Sequence, residues 1–191
     1  ISTSTFSNNT TTGGGCGGIS NAGALTVTTS TFSGNTAPSV TGTGGGIYSD
    51  STGNVAIANS TFSNNSSGLD AGGFFNRNTG TKTVTNSTFS GNTAARWGGG
   101  INNTQSTLTV TNSTISGNSA GAGGGLWNDT GTLTIKNTIV ANSTSGGNCN
   151  SAITADSFNL ATDATCNSAT QKTSAQINLG ALASNGGSTQ T

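Results

Sequence analysis

A unit of about 26 residues recurs along most of this chain, and it restricts the possible folds more than any other feature. Each copy has an aromatic or aliphatic residue followed three positions later by Asn, as in FSGN at 89–92. The first positions of this F-x-x-N element are Phe6, Phe32, Phe62, Phe89, Ile115 and Ile139, and its amides are Asn9, Asn35, Asn65, Asn92, Asn118 and Asn142. Such short units predict a stack of copies, because one unit alone cannot bury its own apolar face.

Two further elements recur with the same spacing. A Gly-Gly pair precedes an apolar residue at 17–20, 45–48, 72–75, 99–102 and 124–127, and an apolar-Thr-apolar triplet such as Leu108-Thr-Val110 occurs in most copies. Alternation of apolar residues with Thr over so short a run predicts strands. The 31 Gly residues and the many β-branched side chains disfavour helices.

Together these elements predict an all-β fold, a single-stranded right-handed parallel β-helix of five to six coils. Each coil would contribute three short strands, and equivalent residues of neighbouring coils would lie about 4.8 Å apart. The right-handed form is expected from the handedness of parallel crossover connections. We assign the repeats to residues 1–142 and a C-terminal coil or cap to residues 143–191.

The repeated positions have predictable structural roles. The six residues that open the F-x-x-N elements should form a core column, with Ile47 and Ile101 of the Gly elements facing them across a narrow interior. The six Asn residues should form a ladder of side-chain amides, since a buried amide needs partners along the column or on the turn backbone. Two further Asn series are expected to stack similarly, one beginning at Asn59 and one at Asn21.

Charge and hydropathy narrow the possible partners. Five acidic and five basic residues give a net charge of zero, and the bases are scattered, so we expect no nucleic-acid partner. No apolar run is long enough to span a membrane. The sequence has no Met and begins at Ile1, and we expect it to be a mature or excised piece of a secreted precursor.

The paired F-x-x-N and G-G-x-x elements resemble the repeats of polymorphic outer membrane proteins and related bacterial surface β-helices. The resemblance covers roughly residues 1–142. It implies a right-handed β-helical segment that is exported and displayed on a cell surface, often in adhesion. The expected location is therefore extracellular or at the cell surface, in a bacterium.

The C-terminal part has a different pattern. Cys149, Phe158-Asn-Leu160, Asp163, Cys166, Leu179-Gly180 and an Asn-Gly-Gly at 185–187 resemble the end of the β-helix in bacterial surface proteins with varied C-terminal anchors. We expect a disulfide between Cys149 and Cys166, consistent with an oxidising compartment. Cys16 replaces a Gly of the repeat; it is either a small half-buried corner residue or a thiol for an intermolecular bridge.

Little in the sequence indicates catalysis, and we expect no cofactor and no metal. The acids are Asp50, Asp70, Asp129, Asp156 and Asp163, and the chain has no His. The repeat places Asp50 beside Arg77 and Asp70 near Arg96, which we interpret as surface ion pairs. A lyase-like site at Asp50 and Arg77, and calcium binding by Asp156 and Asp163, remain alternatives.

We therefore expect a structural or adhesive surface solenoid whose partner is a surface, a glycan or a second copy of itself, stacked end to end into a filament. A polysaccharide-binding protein or a pectate-lyase-like enzyme is one alternative. Ice binding is another, because Thr-x-Thr pairs at 26–28, 83–85 and 109–111 should line up on one outer face. Any local function should lie where coils differ, at Asp50, Arg77, Trp97 and the disulfide segment.

Overall fold

The structure is a computed structural model that describes residues 1–150, 152–167, 169–184 and 189–191. Residues 185–187, the Asn-Gly-Gly of the C-terminal pattern, lie outside the described residues. Strands from successive repeats pair in parallel and form four sheets that run along the length of the molecule. We number the sheets I to IV in the order in which the chain visits them within one coil.

Within each sheet the strands follow one another along the stack in chain order. Sheet I contains β3 (Leu25–Thr28), β7 (Val55–Ala58), β11 (Thr81–Thr85), β15 (Ser106–Thr111), β18 (Gly131–Lys136) and β20 (Ile153–Ala155). Sheet II contains β1 (Thr5–Ser7), β4 (Thr31–Ser33), β8 (Thr61–Ser63), β12 (Thr88–Ser90), β16 (Thr114–Ser116), β19 (Ile139–Ala141), β21 (Leu160–Ala161) and β22 (Thr170–Gln171). Sheet III contains β5 (Thr36–Ala37), β9 (Ser66–Ser67) and β13 (Thr93–Ala94). Sheet IV contains β2 (Ile19–Asn21), β6 (Ile47–Asp50), β10 (Phe74–Arg77), β14 (Ile101–Thr104) and β17 (Leu126–Asn128).

The predicted parallel β-solenoid is confirmed by the strand register. Each triplet pairs with the same triplet one coil away, so that Val84 lies opposite Ile57 on one side and Val110 on the other. Sheets I, II and IV hold the three predicted strands of a coil. Sheet III adds a fourth, two-residue strand in three of the coils, which the alternation pattern is too short to predict.

The core is a set of apolar columns, and the clearest is a stack of Phe rings. Phe32, Phe62 and Phe89 are fully buried, and their ring centroids are 4.7 and 4.5 Å apart with planes within 3° of parallel. Phe6 extends the stack at 4.8 Å and is partly exposed. The facing residues Ile47 and Ile101 are also fully buried. The spacing of the rings follows the spacing of the strands.

The sequence alignment of the sixth copy is wrong by one residue. In the structure, Ile115 lies opposite Val140, and Ile139 lies opposite Thr114. Val140 is therefore the fully buried core residue, whereas Ile139 is only partly buried. Asn142 consequently leaves the amide column and occupies a turn with φ of 56°. Aligning on Ile-x-x-Asn failed here because two aliphatic residues are adjacent and both fit the pattern.

The corners of the coil depend on left-handed backbone and on close backbone approach. Between sheets I and II a residue with positive φ recurs, and it is Asn at Asn59, Asn86, Asn112 and Asn137. Asn tolerates this conformation better than most residues because its short polar side chain bonds locally. Before sheet IV the Gly pairs lie against the next coil. A Cβ on Gly45 would come within 2.5 Å of the Ser66 oxygen, so only Gly fits there.

The C-terminal part continues the solenoid and then leaves it. β20, β21 and β22 add to sheets I and II. The 3₁₀ turn (Ala164–Cys166) and the single-turn helix α1 (Ser174–Ile177) do not belong to the repeated coil. Thr173 caps α1, its hydroxyl accepting from the Gln176 N–H at 3.2 Å. Residues 189–191 lie against an earlier coil, where the Thr61 hydroxyl donates to the Gln190 carbonyl at 2.5 Å.

Candidate functional site

The outer face of sheet IV is where the coils differ most in chemistry. Residues on this sheet alternate, so that Ile47, Phe74, Ile101 and Leu126 face the core while their successors face outward. The outward series, in register from coil to coil, is Tyr48, Phe75, Asn102 and Trp127. The rings of Tyr48 and Phe75 are stacked, with centroids 5.3 Å apart.

The second aromatic pair includes a residue of the segment that precedes sheet IV. Trp97 pairs through its backbone with Asp70 of one neighbouring coil and Ala122 of the other. Gly98, with φ of 67°, turns the chain immediately after it. The Trp97 ring is stacked on Trp127, with centroids 5.0 Å apart and planes 3° from parallel. Sheet IV and its preceding segment thus present two stacked aromatic pairs on one face.

The predicted proximity of Asp70 and Arg96 is confirmed, and the contact is bidentate. Arg96 Nε donates to Asp70 Oδ1 at 2.9 Å and Nη2 donates to Oδ2 at 2.5 Å. The carboxylate is almost completely buried, and its hydrogen bonds raise the pKa of the guanidinium. The Arg96 Cζ also lies 3.8 Å from the centroid of the Trp97 ring. The guanidinium is held on two sides, which fixes its orientation.

The second predicted ion pair does not form, although the register prediction is correct. Asp50 lies directly opposite Arg77 in neighbouring strands. The carboxylate of Asp50 instead accepts from the Tyr48 hydroxyl at 3.2 Å and from Asn78 Nδ2 at 2.9 Å. Burial of the Tyr48 hydroxyl and the negative charge of Asp50 both raise the pKa of this phenol. The ion pairs among the described residues are Arg96–Asp70 and Lys136–Asp156.

These side chains line an open groove of about 410 Å³, which we call the aromatic groove. Its charged lining residues are Asp70, Arg77, Arg96 and Asp129, and its aromatic lining residues are Tyr48, Phe75 and Trp97. The chain has a single Tyr, two Trp and two Arg, and all of them lie in or beside the groove. The chain thus concentrates its Tyr, Trp and Arg side chains on one face.

Sequence reasoning identified part of this site. Asp50, Arg77 and Trp97 were expected to matter because they interrupt the repeat, and all three lie on this face. Tyr48, Phe75 and Trp127 were not identified as a group. Their signal was available: each is the residue after the apolar position of a Gly element, where alternation predicts an outward side chain.

The predicted amide positions have the following contacts. Asn35, Asn65, Asn92 and Asn118 are completely buried, and each side chain donates to the carbonyl oxygen of a Phe in the preceding coil, at 2.9 to 3.0 Å. Asn9 donates to Asn35 Oδ1 at 2.7 Å. After Asn118 the series ends. The Ser143 N–H, one position past Asn142, donates to the side chain of Asn148 at 3.1 Å.

Two of the three cysteines form a disulfide and the third is a free thiol. The predicted bridge between Cys149 and Cys166 is present, and both residues are buried. The Cys16 thiol donates to the Gly44 carbonyl at 2.8 Å, and burial raises its pKa to about 11. A thiol with so high a pKa carries little of the thiolate that reacts with oxidants or other thiols.

The acids of the C-terminal part have separate partners. Asp156 pairs with Lys136 at 2.9 Å, and this contact lowers the pKa of the carboxyl. Asp163 accepts from the backbone N–H groups of Asn148 and Thr165 at 2.9 and 3.0 Å. In the described part of the chain, no group of three or more His, Cys, Asp or Glu residues could hold a metal ion.

The sequence model of the Chlamydia polymorphic membrane protein repeat matches residues 29–50 and 86–104. Each matched segment runs from the corner before sheet II through the Gly element of sheet IV, which is most of one coil. The chain therefore carries repeats of the kind found in that family, whose members are associated with the outer membrane and the cell surface. No curated protein and no solved structure matches the chain.

The repeat match indicates a cell-surface β-solenoid, and the family to which the repeat belongs is one of surface proteins, not of enzymes. Within the ranges that the structure describes, no helix is long and apolar enough to cross a membrane.

Proposed function

We propose that this chain is an adhesive segment of a cell-surface β-solenoid, and that the aromatic groove is its contact site. The observation that carries the proposal is the concentration of the only Tyr, both Trp and both Arg on one face of sheet IV. Tyr, Trp and Arg are the residues enriched in the parts of interfaces that contribute most to binding.

The solenoid supplies the rest of what an adhesive element needs. Its repeats hold the groove on a rigid frame, because each strand of sheet IV except the outermost is bonded to a neighbour on both sides. The Arg96 guanidinium is fixed by Asp70 and Trp97 before any ligand arrives. Such preorganisation lowers the entropy cost of binding.

The test is adhesion of beads coated with the polypeptide of residues 1–191 to a panel of eukaryotic and bacterial cells. We expect Trp97→Ala to reduce bead attachment about tenfold or more, as for a central interface Trp. Phe158→Ala is the matched control, since its ring is 87% exposed and lies at a corner between sheets I and II, on a different face from the groove. Equal attachment of the wild type and Trp97→Ala would overturn the proposal.

A separate assay of the same polypeptide tests the enzyme alternative. Arg96 donates to both oxygens of Asp70, and Tyr48 and Asn78 donate to those of Asp50, so both carboxylates are already engaged by neighbouring side chains. We expect no unsaturated uronate absorbance when the protein is incubated with polygalacturonate. Absorbance that Asp50→Asn abolishes would identify a lyase instead.

Ice binding is a second candidate, favoured by the extent of the Thr array. In β11 and β15 the predicted pairs become rows of three, because Thr81 and Thr107 join them in register, and β18 adds a row of two, Thr132 and Thr134. The array is interrupted at Ala56 and Ala58 and ends at Lys136. If the array binds ice, thermal hysteresis should be present and Thr109→Lys should abolish it. Thr26→Lys, beyond the Ala interruption, is the control.

End-to-end stacking into a filament is proposed for the polypeptide of residues 1–191. In it, β1 and β2 are terminal strands of their sheets, each with one parallel neighbour, whereas the outer edge of β3 is paired with residues 1–3. Unpaired strand edges recruit further strands. Sedimentation should then show concentration-dependent growth of the particle, and a single monomeric species at all concentrations would contradict the proposal.

A further inference from the structure

We infer that the ligand of the aromatic groove is a neutral oligosaccharide, bound through Arg96, Trp97 and the Tyr48–Phe75 pair. This inference rests on the proposed function, since it names the chemical class that the adhesive contact recognises. Four features of the groove point to a sugar: its charge balance, its fixed donors, its aromatic surface and its unpaired buried N–H groups.

The charge of the groove excludes strongly charged ligands. Among the described residues that line it, Asp70 and Asp129 offset Arg77 and Arg96. No Lys lines the groove in the described part of the chain. Polyanions such as nucleic acid or sulfated glycans need a field of uncompensated positive charge, which this groove lacks. A polycation would likewise find no uncompensated negative charge in the groove.

Arg96 offers donors that are already oriented. Its contact with Asp70 uses the Nε N–H and one N–H of Nη2, which leaves the second N–H of Nη2 and the two N–H groups of Nη1 for a ligand. The side chain is 45% exposed, so this end of the guanidinium reaches the groove. The remaining N–H of Nη2 and the adjacent N–H of Nη1 point in the same direction, and such a pair suits the neighbouring hydroxyl oxygens of a sugar ring. Thr104, Gln105 and Asp129 add hydroxyl, amide and carboxylate groups along the same wall.

The aromatic residues supply the apolar part of sugar recognition. A pyranose ring has faces of C–H groups, which pack against aromatic rings while its hydroxyls stay free for hydrogen bonds. The Tyr48–Phe75 pair provides such a surface on neighbouring strands of sheet IV. The Trp97 ring is covered by Trp127 on one face and by Arg96 on the other, so it contributes its edge to the groove. Few apolar side chains besides these line the groove; Leu69 is one. An apolar peptide would find no deep pocket there.

Two buried donors behind the aromatic surface have no partner among the described residues. They are Asn102 Nδ2 and Trp127 Nε1. Asn102 is fully buried in the outward series between Phe75 and Trp127, and its Oδ1 accepts from the groove residue Thr104 at 3.1 Å. An unpaired buried donor costs about 1–3 kcal/mol. Neither residue lines the groove, so a ligand oxygen would relieve that cost once a neighbouring side chain shifts to admit it.

The test uses the two tryptophans as reporters. They are the only Trp residues in the chain and both belong to the site, so intrinsic fluorescence reports on the groove directly. The probes are neutral oligosaccharides (cello-, xylo-, manno-, malto- and galacto-series) and two acidic ones, oligogalacturonate and heparin fragments. We expect a saturable spectral change with at least one neutral series, and weaker or no change with both acidic probes.

Variants decide whether the groove is responsible. Arg96→Lys keeps the charge but loses the planar fork, and we expect it to weaken binding about tenfold. Phe158→Ala and Thr10→Ala, both exposed and outside the groove, should leave the affinity unchanged. Tightest binding of an acidic probe, no binding by any neutral series, or an unchanged affinity in Arg96→Lys would each overturn the inference.

The failure of this inference is separable from failure of the proposed function. If beads adhere through the groove, but neutral oligosaccharides do not compete and glycosidase treatment of the target cells has no effect, the ligand is not a neutral glycan and the adhesive function stands. A peptide partner would then be indicated by loss of adhesion after protease treatment of the cells. If Trp97→Ala adheres normally, the adhesive role of the groove itself fails.

Discussion

At the scale of single residues, the turn after sheet II depends on buried amides whose oxygen and nitrogen are both hydrogen-bonded. Asn65 is the clearest case. Its Oδ1 accepts from the backbone N–H and from Nδ2 of Asn35 at 3.0 and 2.9 Å. Its Nδ2 donates to the Phe32 carbonyl at 3.0 Å and to Asn92 Oδ1 at 2.9 Å. The amide thus fixes the turn between sheets II and III in three successive coils.

We therefore predict that Asn65→Ala lowers the free energy of unfolding by about 2–4 kcal/mol, because several buried groups lose their partners at once. Asn9→Ala is the matched control: Asn9 is exposed and its amide donates only to Asn35 Oδ1, so about 1 kcal/mol or less should be lost. Urea denaturation followed by circular dichroism measures both. Similar losses for the two variants would contradict the prediction.

A second series of amides shows what the sequence could and could not predict at this scale. Asn76 Nδ2 donates to Asn103 Oδ1, and Asn103 Nδ2 to Asn128 Oδ1, both at 2.7 Å. One coil earlier the position is Ser49, and Asn76 Oδ1 is buried without a partner. The sequence predicted that such Asn residues stack. It could not predict the unpaired oxygen, because this depends on the reach of one shorter side chain.

At the scale of elements, the Gly pairs determine how closely neighbouring coils approach. A Cβ on Gly72 would come within 2.5 to 2.7 Å of the Thr93 nitrogen, the Thr93 oxygen and the Asn65 oxygen. These atoms are backbone, of Thr93 on the next coil and of Asn65 on the same coil, and they bond to each other, so they cannot move aside without breaking that pairing. The repeat of Gly at this position was evident in the sequence, but which coil it contacts required the register.

We predict that Gly72→Ala costs about 3 kcal/mol or more, the upper range for overpacking against a rigid surface. Gly13→Ala is the control, because no atom lies within 4 Å of the Cβ it would carry. That variant should unfold within about 0.5 kcal/mol of the wild type. Thermal unfolding distinguishes the two, and a wild-type-like Gly72→Ala would show that the coils can separate at this corner.

A buried lysine in sheet I was not recognised from the sequence. Lys82 pairs with Val55 and Leu108 in the register of an apolar column, and its side chain is completely buried. Its Nζ donates to the carbonyls of Ser51, Gly53 and Thr79. The sequence placed Lys in an apolar triplet, which was a signal for this role. It was missed because a Lys on a strand is more often exposed.

Lys82 gives a prediction about pH. Burial lowers the pKa of its ammonium below 10.5, so between the two values the unfolded chain binds more protons than the folded one. Its contribution to stability therefore increases as the pH rises through the folded pKa towards 10.5. Cys16 and Tyr48 have raised pKa values, so their contributions to stability decrease as the pH rises. The difference between wild type and Lys82→Met isolates Lys82.

We expect the stability of wild type relative to Lys82→Met to increase as the pH rises towards 10.5. At neutral pH the Met variant should still lose about 1–3 kcal/mol, because three backbone carbonyls lose their donor. Urea denaturation at a series of pH values measures both effects. A difference that is constant across the series would mean that the ammonium is well solvated in the folded state.

At the scale of the whole molecule, the sequence predicted the β-solenoid fold well and the aromatic groove only in part. Periodicity fixes the stacking because each coil needs its neighbours to bury Phe32, Phe62 and the other core residues. The aromatic groove combines residues from strands and from the segment before them, as Trp97 and Trp127 illustrate. The turn at Gly98 recurs at Gly44 and Gly123, but the stacking of Trp97 on Trp127 depends on side-chain placement that a repeat pattern does not specify.

Because each coil contacts mainly its neighbours, stability should be local along the stack. The disulfide between Cys149 and Cys166 closes a loop with a sequence separation of 17 and joins the segment after β19 to the end of the solenoid. On the chain-entropy account such a bridge is worth about 3 kcal/mol. Both cysteines are buried, so substitution tests its role better than an external reductant.

We predict that Cys149→Ala combined with Cys166→Ala raises amide exchange in β20, β21 and β22, by the loss of about 3 kcal/mol of local stability. Exchange in β6 to β12 should stay unchanged, because those coils keep both neighbours. Cys16→Ala controls for the loss of a thiol in a different coil. Hydrogen exchange with mass spectrometry resolves these regions. Faster exchange throughout all four sheets would mean that the solenoid unfolds as one cooperative unit, with stability transmitted from the last coil to the first.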